Sequence, residues 1–216
     1  MRNPVNRRLG ALCVGLGLVA AATGVASPAA QAAPAAQKAG TTSLAEVLAA
    51  DGQKFDKNWK DFDIVEAAVY AVLDAKPDSP VGLLADGKTR LTAFVPTDSA
   101  FRKLVKDLTG KAPRTEAKTL AKVVKAAGSI DTIETILLYH VVAGKTLTSP
   151  KVLAAEGQKI ETAMGKSFRV HVTKDGVFLN DKDKNDANPK VVVLDINRGN
   201  KQVAHAINRV LRPLDL

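Results

Sequence analysis

Apolar and polar positions change their spacing once along the chain, near residue 150. Before that point apolar residues recur three and four apart; beyond it they alternate. "SLAE" sets Glu46 three residues after Ser43, a capping box that opens a short helix. Asp63 and Glu66 repeat the spacing at the head of "IVEAAVYAVLDA", where Ile64, Ala67, Ala68, Ala71 and Val72 fall on one helical face. "TDSAFRKLVKDLTG" and "TEAKTLAKVVKAAG" predict helices closed by Gly110 and Gly128. "DTIETILLYHVV" predicts another helix that runs into extended chain near Val141. "RLTAFVP" is the first strand. After Ser149 a short helix, "SPKVLAAEG", precedes the strand-like runs "KIETAM", "SFRVHV", "GVFLN", "KVVVLDI" and "QVAHAINRVL". "KDG" marks a hairpin turn between two of them. Helices first and strands later predict an α+β fold rather than alternating βαβ units.

The junction "LTAFVPTDSAF", residues 91–101, predicts a strand-to-helix corner. Pro96 has no N–H for a partner strand, so pairing stops there. Thr97 follows as the expected helix N-cap, with Asp98 and Ser99 at the positive end of the helix dipole. Phe94 and Phe101 flank the corner and are expected to pack together beneath it.

Composition then limits the setting. "MRNPVNRR", an uncharged apolar stretch and the small residues up to Ala30-Gln31-Ala32 read as a secretory signal peptide over residues 1–32, cleaved near Ala32. Cys13, the one cysteine, leaves with it, so the exported chain must be held by its core. Residues 33–42 read as a flexible tether and 43–216 as a single domain. The net charge of +9 includes Arg2, Arg7 and Arg8 of the leader, which leaves a mild basic bias. Aromatic residues make up 4%, too few for the stacking platforms of a single-strand nucleic-acid binder.

The corner resembles the first signature of the fasciclin (FAS1) domain family at Thr92, Phe94, Pro96, Thr97, Ala100 and Phe101, with Val95 in place of the usual Ala. "ILLYHVVAG" carries the family's Tyr-His pair at Tyr139 and His140. "VAHAINRVLRP", residues 203–213, resembles the terminal signature at His205, Ile207, Val210, Leu211 and Pro213. Asn208 stands where Asp is usual, and "GNKQ" where Asn-Gly is common. The resemblance spans nearly all of the exported chain, about residues 43–214. It implies a β-sandwich or wedge of about seven strands with helices packed along one side. It further implies a secreted adhesion or ligand-presenting module without catalysis or cofactor, whose partners are cell-envelope, matrix or receptor components. The Tyr-His region is credited with adhesion in the family. An exported enzyme acting on wall or matrix polymers, and a carrier of a small apolar ligand, are the alternatives.

The candidate chemistry is sparse. His140 shares a helical stripe with Ile133, Ile136 and Leu137, which predicts a buried neutral imidazole with one donor and one acceptor satisfied. His205 shares a strand face with Val203 and Ile207; His171 points away from Phe168, Val170 and Val172 and is expected in solvent. No short-spaced His or Cys set predicts zinc, so no metal is expected. Asp181, Asp183 and Asn185 imitate the start of a calcium loop, but Asp186 and Val192 occupy the places of its Gly and Glu. A solvated loop is expected there instead. No G-x-S-x-G, H-E-x-x-H or phosphate-loop motif is present. The strongest charge bias lies over residues 103–128, where Lys103, Lys106, Lys111, Arg114, Lys118, Lys122 and Lys125 stand against Asp107 and Glu116. An ordinary solubilising helix surface is the expectation there; the functional alternative is a basic face across two helices that docks on anionic polymers, on a monomer with no nucleic-acid partner and no membrane anchor.

Overall fold

Ser43 caps the first helix, α1 (Leu44–Leu48), and Glu46 returns the bond to the Ser43 N–H at 2.8 Å, the reciprocal box its spacing predicts. The computed structural model describes residues 38–52 and 54–214; the proposed leader and the start of the tether lie outside the described residues. Residues 40–42, assigned to the tether by composition, are held. Gly40 bridges Asn200, and the Thr42 N–H donates to Asn200 Oδ1 at 3.1 Å.

The longer helices follow their local signals. They are α2 (Asp63–Ala75), α3 (Asp98–Thr109), α4 (Glu116–Ala127) and α5 (Ile130–Tyr139). Gly110 and Gly128 end α3 and α4 in the left-handed region, at φ 72° and 75°, where a side chain would be strained. Thr115 and Ser129 cap α4 and α5 through their hydroxyls. The start of α2 departs from expectation. Phe62 is its N-cap, without a side-chain bond, and Asp63 is already its first helical residue. The buried stripe of α2 is Ile64, Val65, Ala68, Val69 and Val72, with Ala71 exposed. It is turned from the predicted face because Val65 and Val69, rather than Ala67 and Ala71, take the core.

Seven strands form two sheets among the described residues. β1 (Leu91–Pro96), β2 (Val141–Ala143), β6 (Val191–Ile196) and β7 (Gln202–Ile207) make one sheet in the order β2-β1-β7-β6. Its central pair, β1 and β7, runs parallel, with Phe94 opposite His205 and Pro96 opposite Ile207. β3 (Lys159–Glu161), β4 (Ser167–Thr173) and β5 (Gly176–Asn180) make the second sheet, which follows the short α6 (Ser149–Leu153) in the chain. The predicted hairpin joins β4 to β5, with Thr173 paired to Gly176.

The central sheet divides two cores, and strand alternation assigns the residues. Leu91, Ala93, Val95, Val141 and Ala204 face a core built with α2, α3 and α5. Phe94, Val142 and Ile207 face a second core with Phe168, Val170 and Leu179 of the three-stranded sheet. The fold is therefore α+β: helices on one face of a four-stranded sheet and a second sheet on the other. Covered on both sides, β1 and β7 are buried at every position. Phe94 and Phe101 consequently lie in different cores and do not pack together. Phe94 meets Phe168 edge-on, with ring centroids 5.2 Å apart.

Candidate functional site

The signature residues form the joints of this architecture. Thr92 is fully buried; its hydroxyl donates to the Lys145 carbonyl at 2.8 Å and accepts from the Leu147 N–H at 2.8 Å. Thr97 occupies the N-cap position of α3 with no side-chain bond to the helix backbone. Its hydroxyl lies 3.0 Å from that of Ser99, and its N–H donates to the Ile207 carbonyl at 3.1 Å. Pro96, Ala100 and Phe101 are buried around it.

Tyr139 and His140 are 0% and 5% exposed. The Tyr139 hydroxyl donates to the Ser167 carbonyl at 3.3 Å, tying the end of α5 to β4. Burial raises its pKa, with Asp181 adding to the shift. His140 caps the C-terminus of α5. Its Nδ1 lies 2.8 Å from the Ile136 carbonyl, and its Nε2 accepts the Leu211 N–H at 2.9 Å. These partners define the neutral tautomer with hydrogen on Nδ1. Burial pushes the imidazole pKa down to about 4, against a small upward effect of the Ile136 carbonyl.

His205 is fully buried and uses the opposite tautomer. Its Nε2 donates to the Leu147 carbonyl at 2.7 Å, and its Nδ1 accepts the Asp195 N–H at 3.2 Å. Asp195 sits at a positive φ of 58°, and its carboxylate accepts from the N–H and hydroxyl of Ser149 at the start of α6. His171 is exposed, 3.3 Å from Glu156.

The end of the terminal signature is fastened by the segment expected to be a solvated loop. Asp183 is 4% exposed and meets Arg212 at 2.6 Å, while Asp181 accepts the Arg212 N–H at 2.7 Å. Asp186 and Asp107 hold Arg209 at 2.8 and 3.0 Å. Val210, Leu211 and Pro213 are buried beside them. Asn208, the departure from the usual Asp, still accepts: its Oδ1 takes the Lys190 N–H at 2.9 Å.

The basic segment takes the opposite position. Lys103, Lys106, Lys111, Arg114, Lys118, Lys122 and Lys125 are all exposed, on α3, α4 and the turn between them. Lys118, Lys122 and Lys125 follow four- and three-residue steps along α4, which puts them on one side of the helix. Neither acid of the segment offsets them freely. Asp107 is engaged by Arg209 and Arg212, and Glu116 is fully buried. Lys103 leans inward, donating to the Asn208 carbonyl at 3.1 Å, and burial followed by Arg209 lowers its pKa.

Sequence reasoning missed two constellations. Gln202, fully buried, accepts from the Leu44 N–H and donates to the carbonyls of Leu83 and Asp86, so one side chain pins three segments. At the starts of α2, α3 and α4, the buried carboxylates of Asp61, Asp98 and Glu116 converge, with oxygens within 4.8 Å of one another. Asp98 serves a helix other than its own, accepting the Ile64 N–H of α2 at 3.0 Å. Burial raises its pKa to about 8, with Asp61 contributing. Burial likewise raises that of Glu116.

The sequence model of the Fasciclin domain family matches residues 72–213. Among solved structures, a FAS1 domain pair from the insect cell adhesion molecule fasciclin I is similar to this chain at 15% identity and a TM-score of 0.39. That likeness covers 69% of this chain, which spans 43% of the domain pair's length. No curated protein matches the chain. Among the described residues, no helix is long and apolar enough to cross a membrane.

Proposed function

The chain belongs to the fasciclin domain family, and from that premise we propose that it is a secreted binding module acting by surface contact with anionic cell-envelope or matrix polymers. The observation that carries this reading is the exposure of seven cationic side chains on α3, α4 and their turn, while of the two acids in the same segment Asp107 is paired with Arg209 and Arg212 and Glu116 is buried. A surface of one sign attracts a polyanion along its length without a cleft, and such attraction is screened by salt.

Binding through Tyr139 and His140 fits the molecule less well, because both rings are internal and their polar atoms are engaged by backbone groups. Contact there would require α5 to separate from the C-terminal segment. The pair supports the reading indirectly, by holding rigid the scaffold on which α3 and α4 sit. Salt-graded retention on a dextran sulfate resin tests the proposal. Retention at about 0.05 M salt should be lost by about 0.5 M, where the screening length is roughly 4 Å. Retention unchanged across that range, or no retention at the lower salt, contradicts it.

A further inference from the structure

We infer that Asp61, Asp98 and Glu116, at the meeting point of α2, α3 and α4, bind one hard divalent cation of the calcium class. The inference is independent of the polyanion-binding reading. Three carboxylates lie within mutual reach of a single ion, and all three are buried. Their polar needs are unmet. Both oxygens of Glu116, Oδ2 of Asp98 and Oδ1 of Asp61 have no hydrogen-bond partner, although Glu116 and Asp98 are 0% exposed. The nearby Asp56 backbone favours the charged form of Glu116, but less than burial opposes it. Among the described residues, no lysine or arginine forms a salt bridge with any of the three. Buried carboxylates without donors or counterions are costly, and a bound cation would satisfy several oxygens at once.

The donor set selects the ion. Oxygen ligands without nitrogen or sulfur favour hard cations. A fully buried site asks the ion to shed most of its water, which magnesium does reluctantly and calcium readily. Asp56, exposed, forms an overlapping group with Asp61 and Asp63, which places a ligand at the solvent side as an entry route. The starts of three helices, of 13, 12 and 12 residues, add partial positive charge against the third carboxylate. Neither His and Cys spacing nor the calcium-loop pattern at Asp181 marks this site, because its three acids are too far apart in sequence to register as a motif. The competing arrangement is a proton held between Asp98 and Asp61.

Trp59, the one tryptophan, supplies a local probe: its carbonyl accepts the Ser99 N–H at 2.9 Å, beside Asp98. The chelator-treated chain is titrated with terbium while Trp59 is excited, then with calcium, and its melting temperature is followed in parallel. The site predicts sensitised terbium emission that calcium displaces. It also predicts a melting temperature raised by about 5–10 °C at calcium near 100 times Kd. Asp98→Asn, which keeps the oxygen that accepts from Ile64, and Glu116→Gln should lose both responses. No response to calcium, manganese or terbium at about 1 mM, the weak end of known calcium modules, overturns the inference in favour of the shared proton. Responses in Asp98→Asn equal to those of the unaltered chain overturn it as well.

Discussion

Two groups of buried and half-buried acids stand at different places in this fold. At the C-terminal clasp, Asp183 and Asp186 face Arg212 and Arg209, and Asp181 takes a backbone N–H. At the helix starts, Asp61, Asp98 and Glu116 face one another. In the first group each buried charge has a counter-charge or a donor, and the result is a fastening. In the second, four of the six carboxylate oxygens have no hydrogen-bond partner, and among the described residues no counter-charge faces them. The same residue type thus closes the structure in one place and leaves it open to a proton or an ion in the other.

The largest effect should come from breaking the clasp. Arg212→Met removes the guanidinium that faces the buried Asp183 carboxylate and should cost about 3–5 kcal/mol in urea unfolding. A loss below about 1 kcal/mol would show that the clasp behaves as an ordinary surface pair. Next comes the His140 joint, where the sign follows from its lowered pKa. The folded imidazole stays neutral down to about pH 4, whereas the unfolded one takes up its proton near pH 6.5. Its contribution is complete above pH 6.5 and is lost as pH falls towards 4, amounting to about 3 kcal/mol. His140→Ala should lower stability at pH 7 by about 2 kcal/mol and flatten the acid limb of the pH–stability curve. Unchanged curves in the variant would remove His140 from the account.

A third prediction contrasts the two groups directly. In chelator at pH 7, Asp98→Asn should change stability by less than about 1 kcal/mol, because it replaces a carboxyl that burial, with a pKa raised to about 8, already keeps from carrying a charge. Asp183→Asn, which takes one away from Arg212, should destabilise. Equal losses in the two variants would erase the distinction.

How legible all this was depended on the reach of each signal. Gly110 and Gly128 declare the ends of α3 and α4 because left-handed closure is a one-residue requirement. The Ser43 box needs only four residues. Phe94 and Phe101 were misjudged because nothing near them records that β1 is covered on both faces. Asp98 was read as serving its own helix, but the N–H it accepts belongs to Ile64, 34 residues back. Asp183 looked solvated because its partner Arg212 lies 29 residues on. Gln202 carried no local mark, since the Leu44 N–H it serves belongs to a distant segment. The basic segment was legible because exposure of lysine is the ordinary outcome on a helix surface.

The smallest effect on stability should accompany the largest effect on binding. Lys118→Glu/Lys122→Glu/Lys125→Glu alters exposed positions only and should shift stability by about 0.5 kcal/mol or less. Side-by-side elution of this triple reversal and the unaltered chain from dextran sulfate, both well below their melting temperatures, therefore tests the central claim most directly. The account predicts that the reversal passes unretained at a salt concentration that holds the unaltered chain. Coincident elution, with both proteins retained and both folded, would contradict it.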